Sequence, residues 1–233
     1  MIFSLPKDII FPPVELAEPN GMLAIGGDLS VERLLAAYKH GIFPWFSDGS
    51  PILWWSPDPR FVLFPDEIKV SKSMKKTMRN GAFTVTYDLA FKEVIRNCRH
   101  PRKDQDGTWI TDDMEDAYIE LHELGFAHSV ETWQGDKLVG GLYGVSLGRM
   151  FFGESMFTIT ANASKAALIS LAVKLQSLSF DCIDCQVHTK HMETMGARYI
   201  VRTEFIDLLA SSLKHKGLTG SWKNTHEFDK KLN

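Results

Sequence analysis

Between residues 127 and 157, three strand-like stretches are joined by two very short connections. Gln134-Gly135-Asp136 and Leu147-Gly148 have the composition of hairpin turns. The spacing predicts an antiparallel meander with strands at 127–133, 137–146 and 149–157. Such a sheet must bury at least one face, and the flanking segments carry the means to cover it. Asn162 or Ser164 opens a helix whose Leu168, Leu171, Ala172 and Leu175 form one stripe. A strand at 181–187, a short helix stopped by Gly196, a strand near 197–202 and a helix over 203–214 follow. Upstream lie a basic helix at 69–79, a strand at 83–87, a helix capped by Asp88 and a polar loop with Arg99, Arg102 and Lys103. Thr111 then caps a helix that Gly125 stops.

The first part of the chain is different. Up to residue 62 it is loop-rich with one clear helix, capped by Ser30, striped by Val31, Leu34, Leu35 and Tyr38, and ended by Gly41. Ala24-Ile25-Gly26-Gly27-Asp28 lacks the Lys-Ser/Thr ending of a phosphate loop and reads as a tight turn. The segments 41–46 and 51–60 combine aromatic residues with prolines too dense for a long regular element. Two readings stand for them: a packed cap on the next domain, or an aromatic wall for a base or a large apolar side chain. The expected division is a small N-terminal domain, residues 1–62, and a larger one, residues 63–233. The tail after Lys214 is polar, with Trp222 and Phe228 as its large anchors, and is expected to be partly mobile.

A net charge of -3 excludes a generic polyanion binder, so any contact with nucleic acid needs a local patch. Lys72, Lys75, Lys76 and Arg79 supply one, at i, i+3, i+4 and i+7 of the basic helix. The stripe is either a solvated face or a phosphate-tracking surface. Cys98, Cys182 and Cys185 make no disulfide framework. The last two form a CxxC inside an apolar strand rather than at a helix N-terminus, which favours structural thiols over a redox pair or a metal site. With no signal peptide and no apolar run long enough to span a bilayer, the chain is expected to be cytoplasmic.

Two strands put polar side chains where a strand should be apolar. Residues two apart in a strand share a face. Asp184 and Gln186 are therefore expected on one face, with Ile183 and Cys185 on the other, and Glu154 on the face of Phe152 and Met156. A carboxylate among large apolar neighbours is costly unless something bonds to it. The pair of segments reads as a reaction centre. The order of elements is similar to that of an N-acetyltransferase-like α/β domain. Phe157 to Lys165, where that fold has its pyrophosphate loop, contains no glycine.

The segments Ala17-Glu18-Pro19-Asn20-Gly21, Ile25-Gly26-Gly27-Asp28-Leu29, Gly41-Ile42-Phe43-Pro44-Trp45-Phe46 and Trp54-Trp55-Ser56-Pro57-Asp58-Pro59-Arg60 extend the pattern. With Gly107-Thr108-Trp109-Ile110-Thr111, Gly153-Glu154-Ser155-Met156-Phe157, Ala163-Ser164-Lys165 and Asp184-Cys185-Gln186, the chain closely resembles the bacterial leucyl/phenylalanyl-tRNA–protein transferases over about residues 12–212. The resemblance implies an enzyme that moves Leu or Phe, and also Met, from aminoacyl-tRNA to the N-terminal α-amine of proteins beginning with Arg or Lys, marking them for degradation. It implies a GNAT-like C-terminal domain that uses no acetyl-CoA, no other cofactor and no metal, in a protein expected to act as a monomer. Thr189 stands where relatives often carry Asn.

An aminoacyl ester is already activated, so the site has to orient amine and ester, accept a proton and stabilise the tetrahedral intermediate. The resemblance assigns this to Asp184 and Gln186, either with the carboxylate polarising a carboxamide whose oxygen takes the proton, or with Asp184 as the base. Glu154 would hold the free ammonium of the aminoacyl group or polarise the site. Phe152, Met156 and Ile183 would border the pocket for the Leu or Phe side chain. Tyr38, Trp45, Trp109 and Tyr118 would surround the terminal adenosine of the tRNA, core packing being the alternative for each. An acetyl-CoA-dependent acyltransferase and a noncatalytic RNA-binding module are the rival readings.

Overall fold

The meander forms, as the centre of a wider sheet. The structure, a computed structural model, describes residues 2–100 and 109–223. The chain opens with β1 (Phe3–Leu5), β2 (Met22–Gly26), α1 (Val31–Lys39), β3 (Phe43–Pro44) and β4 (Leu53–Trp55), and these four strands make a small sheet in the order β1-β2-β4-β3. Then come β5 (Arg60–Leu63), α2 (Lys72–Arg79), β6 (Thr84–Tyr87), α3 (Phe91–Arg99) and α4 (Asp112–Glu123). The meander is β7 (Ala127–Gln134), β8 (Lys137–Leu147) and β9 (Met150–Thr158). After it lie α5 (Ala163–Ser177), β10 (Cys182–Gln186), α6 (Lys190–Thr194), β11 (Arg198–Ile200) and α7 (Arg202–Ser212). The large sheet has the order β11-β5-β10-β9-β8-β7-β6, antiparallel except where β10 runs parallel to β9. The residue 62 boundary expected from the sequence falls inside β5, all of which belongs to the large sheet. The mixed α/β architecture is the one expected, whereas the small N-terminal sheet lies in a part read from the sequence as loop-rich with one helix. No helix among the described residues is long and apolar enough to cross a membrane.

Alternation along the strands sorts the side chains into two cores. Val62, Tyr143, Val145, Phe152 and Cys182 pack on one face with α1, α3, α4 and α7. Phe61, Leu63, Leu142, Phe151 and Ile183 pack on the other with the Leu168, Leu171 and Leu175 stripe of α5 and with Met74 of α2. Cys182 and Cys185 accordingly sit against opposite cores, and burial pushes both thiols well above the usual thiol range.

Thr111 caps its helix as expected, whereas the basic helix, expected from residue 69, starts at Lys72 after the cap Ser71. Thr111 Oγ1 accepts the Met114 N–H at 3.2 Å, and Ser71 Oγ accepts that of Met74 at 3.2 Å. Two expected caps fail because the side chain has a better partner. Ser30 donates its hydroxyl to Asp28 instead. Asp88 is buried and accepts N–H bonds from Ser129 at 3.0 Å and Trp222 at 2.6 Å, with His128 Nδ1 at 3.0 Å. Trp222, 3% exposed, stacks on the His128 ring at 3.8 Å. Trp222 is therefore an anchor of the tail, as expected. Phe228, Arg102, Lys103 and the Gly107-Thr108 pair lie outside the described residues.

Two irregularities break the regular pairing of the large sheet. The β8–β9 register slips between Tyr143/Ser155 and Gly144/Gly153, which leaves Glu154 as an extra residue on β9. The β10–β5 register slips at Cys185, between Asp184 and Gln186. Gly144 makes the first slip possible, since a Cβ there would lie 2.2 Å from the Phe152 carbonyl oxygen and 2.6 Å from the Phe151 ring. Gly144→Ala should therefore lower unfolding free energy by about 1–3 kcal/mol in denaturant titrations. Gly153→Ala, whose Cβ meets nothing nearer than 3.5 Å, should cost much less; equal destabilisation by the two would show that the close approach is not what excludes a side chain.

Candidate active site

Strands β9 and β10 pair through Cys182/Met150, Ile183/Phe151 and Asp184/Phe152, and then part. Both bulges lie just beyond the last pair, so the strands diverge where the polar residues begin. A cavity of about 1600 Å³ opens at the split, between the strand ends, α5 and the aromatic loop around Trp45.

Glu154 occupies the floor of this cavity. Its Oε1 accepts from Tyr38 Oη at 2.8 Å and from Gln186 Nε2 at 3.0 Å, and Tyr118 Oη lies 3.0 Å from Oε2. The two tyrosine hydroxyls also touch each other. Glu154 keeps a narrow opening to the cavity, but protein surrounds it on its other sides. Burial therefore pushes its pKa up, to about 7, against the opposing pull of the tyrosine and Gln186 hydrogen bonds, while nearby Asp184 pushes it further up. Tyr38 and Tyr118 are fully buried beneath it. They are not available to stack on a base, which corrects their expected place around an adenosine; burial raises both phenols well above their usual range.

The second bulge separates Asp184 from Gln186. Asp184, 0% exposed, accepts from Arg60 Nε at 2.8 Å and Arg60 Nη2 at 2.7 Å, one bond to each oxygen. Its Oδ1 also accepts the backbone N–H of Gln186 at 2.9 Å. Arg60, 1% exposed, is clamped between the Phe43 and Phe205 rings, each 4.7 Å from the guanidinium carbon. Gln186 has φ 63°, a left-handed backbone rarely adopted without a local hydrogen bond to hold it. That geometry swings the carboxamide away from Asp184 and toward Glu154. The expectation that the Asp184 carboxylate contacts the Gln186 carboxamide is therefore corrected: the contact runs through the Gln186 backbone amide.

The bulge at Glu154 also reverses the parity of β9. Simple alternation puts Phe152 and Met156 on one face. Phe152 instead packs at 4.9 Å under the Tyr38 ring, in the core on the α1 side, whereas Met156 packs in the core on the α5 side. Met156 and Ile183 line the cavity together with Phe151, Leu142, Leu168 and Leu171, and Phe152 does not. Trp45, 42% exposed, and the half-buried Trp109 line its mouth. Trp55 positions Trp45 by donating its Nε1–H to the Trp45 carbonyl oxygen at 2.7 Å. Thr189 lines the cavity and caps α6, its Oγ1 accepting the Met192 N–H at 3.2 Å. Lys72, Lys75, Lys76 and Arg79 all lie on α2, and none of them lines the cavity.

Arg60 is the residue that sequence reasoning missed. Its signal was present: an arginine begins the otherwise apolar run Phe61-Val62-Leu63, and a cation in a buried strand needs an acidic partner. Arg60→Ala should cost about 3–5 kcal/mol of unfolding free energy, because a fully buried carboxylate would be left without its counterion. Arg60→Lys keeps the charge but not the two parallel bonds, and should recover only part of that cost. Denaturant curves for both variants check this, and a wild-type midpoint in Arg60→Ala would refute it.

A family model described as leucyl/phenylalanyl-tRNA protein transferase matches residues 62–210, and one described as the N-terminal domain of that family matches residues 27–58. A leucyl/phenylalanyl-tRNA–protein transferase of Syntrophus aciditrophicus is 56% identical over 232 residues, covering 99% of this chain and 97% of the relative. One of Stutzerimonas stutzeri is 58% identical over 208 residues, covering 88% of this chain and 92% of the relative. Among solved structures, a GCN5-related N-acetyltransferase from Kribbella flavida covers 72% of this chain and 60% of its own, with a TM-score of 0.33 and 8% identity. Identity at the level of those two transferases, over nearly the whole of both chains, means that this chain belongs to the leucyl/phenylalanyl-tRNA–protein transferase family.

Proposed function

We propose that Gln186 and Glu154, on the floor of the cavity, form the centre at which this aminoacyltransferase moves Leu or Phe from tRNA to a protein N-terminus. The observation that carries the reading is the Gln186 carboxamide, fixed at 3.0 Å from Glu154 where the two strands part. In the reaction the acceptor nitrogen attacks the ester carbonyl carbon, a C–N bond forms, and the C–O bond to the tRNA ribose breaks. The amine loses a proton and the ribose oxygen gains one. A free α-amine has pKa roughly 7.7–8.0, so modest assistance suffices at neutral pH. With its Nε2 committed to Glu154, Gln186 has its carboxamide oxygen left to accept a hydrogen bond from the attacking amine. Asp184 acts as a positioning residue, since both its oxygens are engaged and it lies outside the cavity lining. This arrangement favours Gln186 over Asp184 as the group that meets the amine.

Glu154 seats the ammonium of the donor aminoacyl group, and the apolar end formed by Phe151, Met156, Leu168, Leu171 and Ile183 takes its side chain. An apolar pocket of this kind fits Leu, Phe and Met. Trp45 and Trp109 at the mouth hold the terminal adenosine. Acceptors beginning with Arg or Lys bring a second cation, for which Asp48 on the cavity wall is the counterion. The enzyme works as a monomer in the cytoplasm, where aminoacyl-tRNA is made. The test is direct: charged Leu-tRNA and an Arg-initiated peptide should yield the peptide plus one Leu residue by mass. Gln186→Ala should slow single-turnover transfer far more than it weakens tRNA binding, since an interaction made in the transition state lowers kcat and kcat/KM together. An unchanged rate would remove Gln186 from the chemistry.

The tRNA backbone runs over the α2 stripe. No acidic partner within ion-pair distance of its four cations is found among the described residues. Removing one phosphate-binding cation should reduce the slope of log K against log salt by roughly 0.7–0.9. A Lys75→Ala/Lys76→Ala variant should therefore raise KM for aminoacyl-tRNA and leave turnover of a minimal aminoacyl-adenosine unchanged. Wild-type affinity and salt slope in that variant would make the stripe a solvated face only.

A further inference from the structure

We propose that Tyr38, Tyr118 and Glu154 form a closed ring that carries three protons in the empty site, with Glu154 a neutral carboxylic acid, and that an ammonium group binding beside it discharges the third proton to solvent. The discharge step rests on the reading of Glu154 as the seat of the donor ammonium; the third proton does not.

Three oxygen–oxygen contacts close the ring: Tyr38 Oη to Tyr118 Oη, Tyr38 Oη to Glu154 Oε1 at 2.8 Å, and Tyr118 Oη to Glu154 Oε2 at 3.0 Å. Each contact needs one hydrogen, and two phenols supply two. If the carboxylate is ionised and both phenols donate to it, the phenol oxygens face each other with no hydrogen between them. A proton on Oε2 removes the conflict. Oε2 then donates to Tyr118, Tyr118 donates to Tyr38, and Tyr38 donates to Oε1, which also accepts from Gln186 Nε2 at 3.0 Å. All four contacts are satisfied in one sense around the ring.

The surroundings make the carboxyl, not a phenol, the group that titrates. From α1 the facing group is Tyr38, and from α4 it is Tyr118, with Glu115 farther along α4 engaged by Arg96 and Arg99. From β8, Tyr143 packs edge-on to Tyr118 at 5.6 Å. From β10 come Gln186 and Asp184, the latter paired with Arg60 of β5. Among the described residues no cation pairs with Glu154 itself. Burial lifts the Glu154 pKa to about 7 and both phenols well above their usual range. Charge and atoms balance in the discharge: a neutral ring and a ligand ammonium become an ion pair, and one proton leaves through the cavity. Once ionised, Glu154 takes both phenol donors on its two oxygens, and the phenol–phenol bond is released.

Two measurements on the intact protein test this. Infrared difference spectra of the empty enzyme at about pH 6 should show the carbonyl band of a protonated carboxylic acid, absent in Glu154→Gln and fading as pH rises past about 7. No such band overturns the third proton. In Tyr118→Phe the acid hydroxyl on Oε2 loses the phenol oxygen that accepts from it, so the carbonyl band should move to higher wavenumber than in the wild type. A band that keeps its wild-type position in that variant overturns the ring. The discharge is read by calorimetry with 3′-deoxy-3′-(leucylamino)adenosine, whose amide replaces the reactive ester. At about pH 6 its amine, with pKa roughly 7.7–8.0, is already an ammonium. Titrations in two buffers of different ionisation heat should then report about one proton released per ligand, and none with the N-acetyl derivative. A band in the empty enzyme with no proton released overturns the discharge. If the compound also binds Glu154→Gln as tightly as wild type, the reading that seats the ammonium on Glu154 fails as well, while the three-proton ring is judged by the infrared result alone.

Discussion

A single buried ion pair fixes the geometry on which the site depends. Arg60 and Asp184 join neighbouring strands through two bonds of 2.8 and 2.7 Å, with the guanidinium held between the rings of Phe43 and Phe205. Desolvating both charges is expensive, and an apolar pair of similar volume would often stabilise the sheet as well or better. The pair makes sense as a specifier of conformation. With Arg60 anchoring it, Asp184 can spare a lone pair for the Gln186 N–H, and that bond holds Gln186 in a left-handed backbone. The N-terminal segment participates too, because Phe43 belongs to the small sheet and packs on a residue of the large one. The two sheets thus converge on the same carboxylate.

The bulges turn an ordinary strand pair into a cleft. Regular pairing of β9 and β10 would bury Glu154 and Gln186 in the sheet, each with unsatisfied polar atoms. One extra residue on each strand lets both side chains leave the ladder and find each other. The same displacement divides the chemistry between the two cores. Tyr38 and Tyr118 reach Glu154 from the α1 and α4 side, while Phe151, Leu168 and Ile183 form the apolar end on the α5 side. Polar and apolar functions therefore occupy opposite faces of one sheet and meet only where it splits.

Much of this is legible in the chain. Hairpin turns, apolar stripes and the Thr111 cap point to the meander and the helices around it, because such signals are local and their periods are set by backbone geometry. The motif residues around Glu154 and Asp184 mark the site for the same reason: polar groups inside apolar strands stand out in any linear reading. Alternation itself is what misleads. It places Phe152 with Met156 and Asp184 with Gln186, and one inserted residue on each strand reverses both assignments. Position alone makes Asp88 and Ser30 look like caps, whereas Trp222 and His128 in one case and Asp28 in the other compete successfully for their side chains.

The sequence by itself determined the elements after residue 63 and their order, the family and the short list of polar residues that matter, since these depend on spacing along the chain. It did not determine the short strands before residue 63. Only the tertiary structure decided which of those residues meet. Tyr38 and Glu154 are hydrogen-bonded across a separation of 116 positions, and Arg60 and Asp184 across 124. Contacts of that range are set by how two sheets and two helical layers close around a bulged pair of strands. A bulge is a register choice made between strands, with no period of its own in either one.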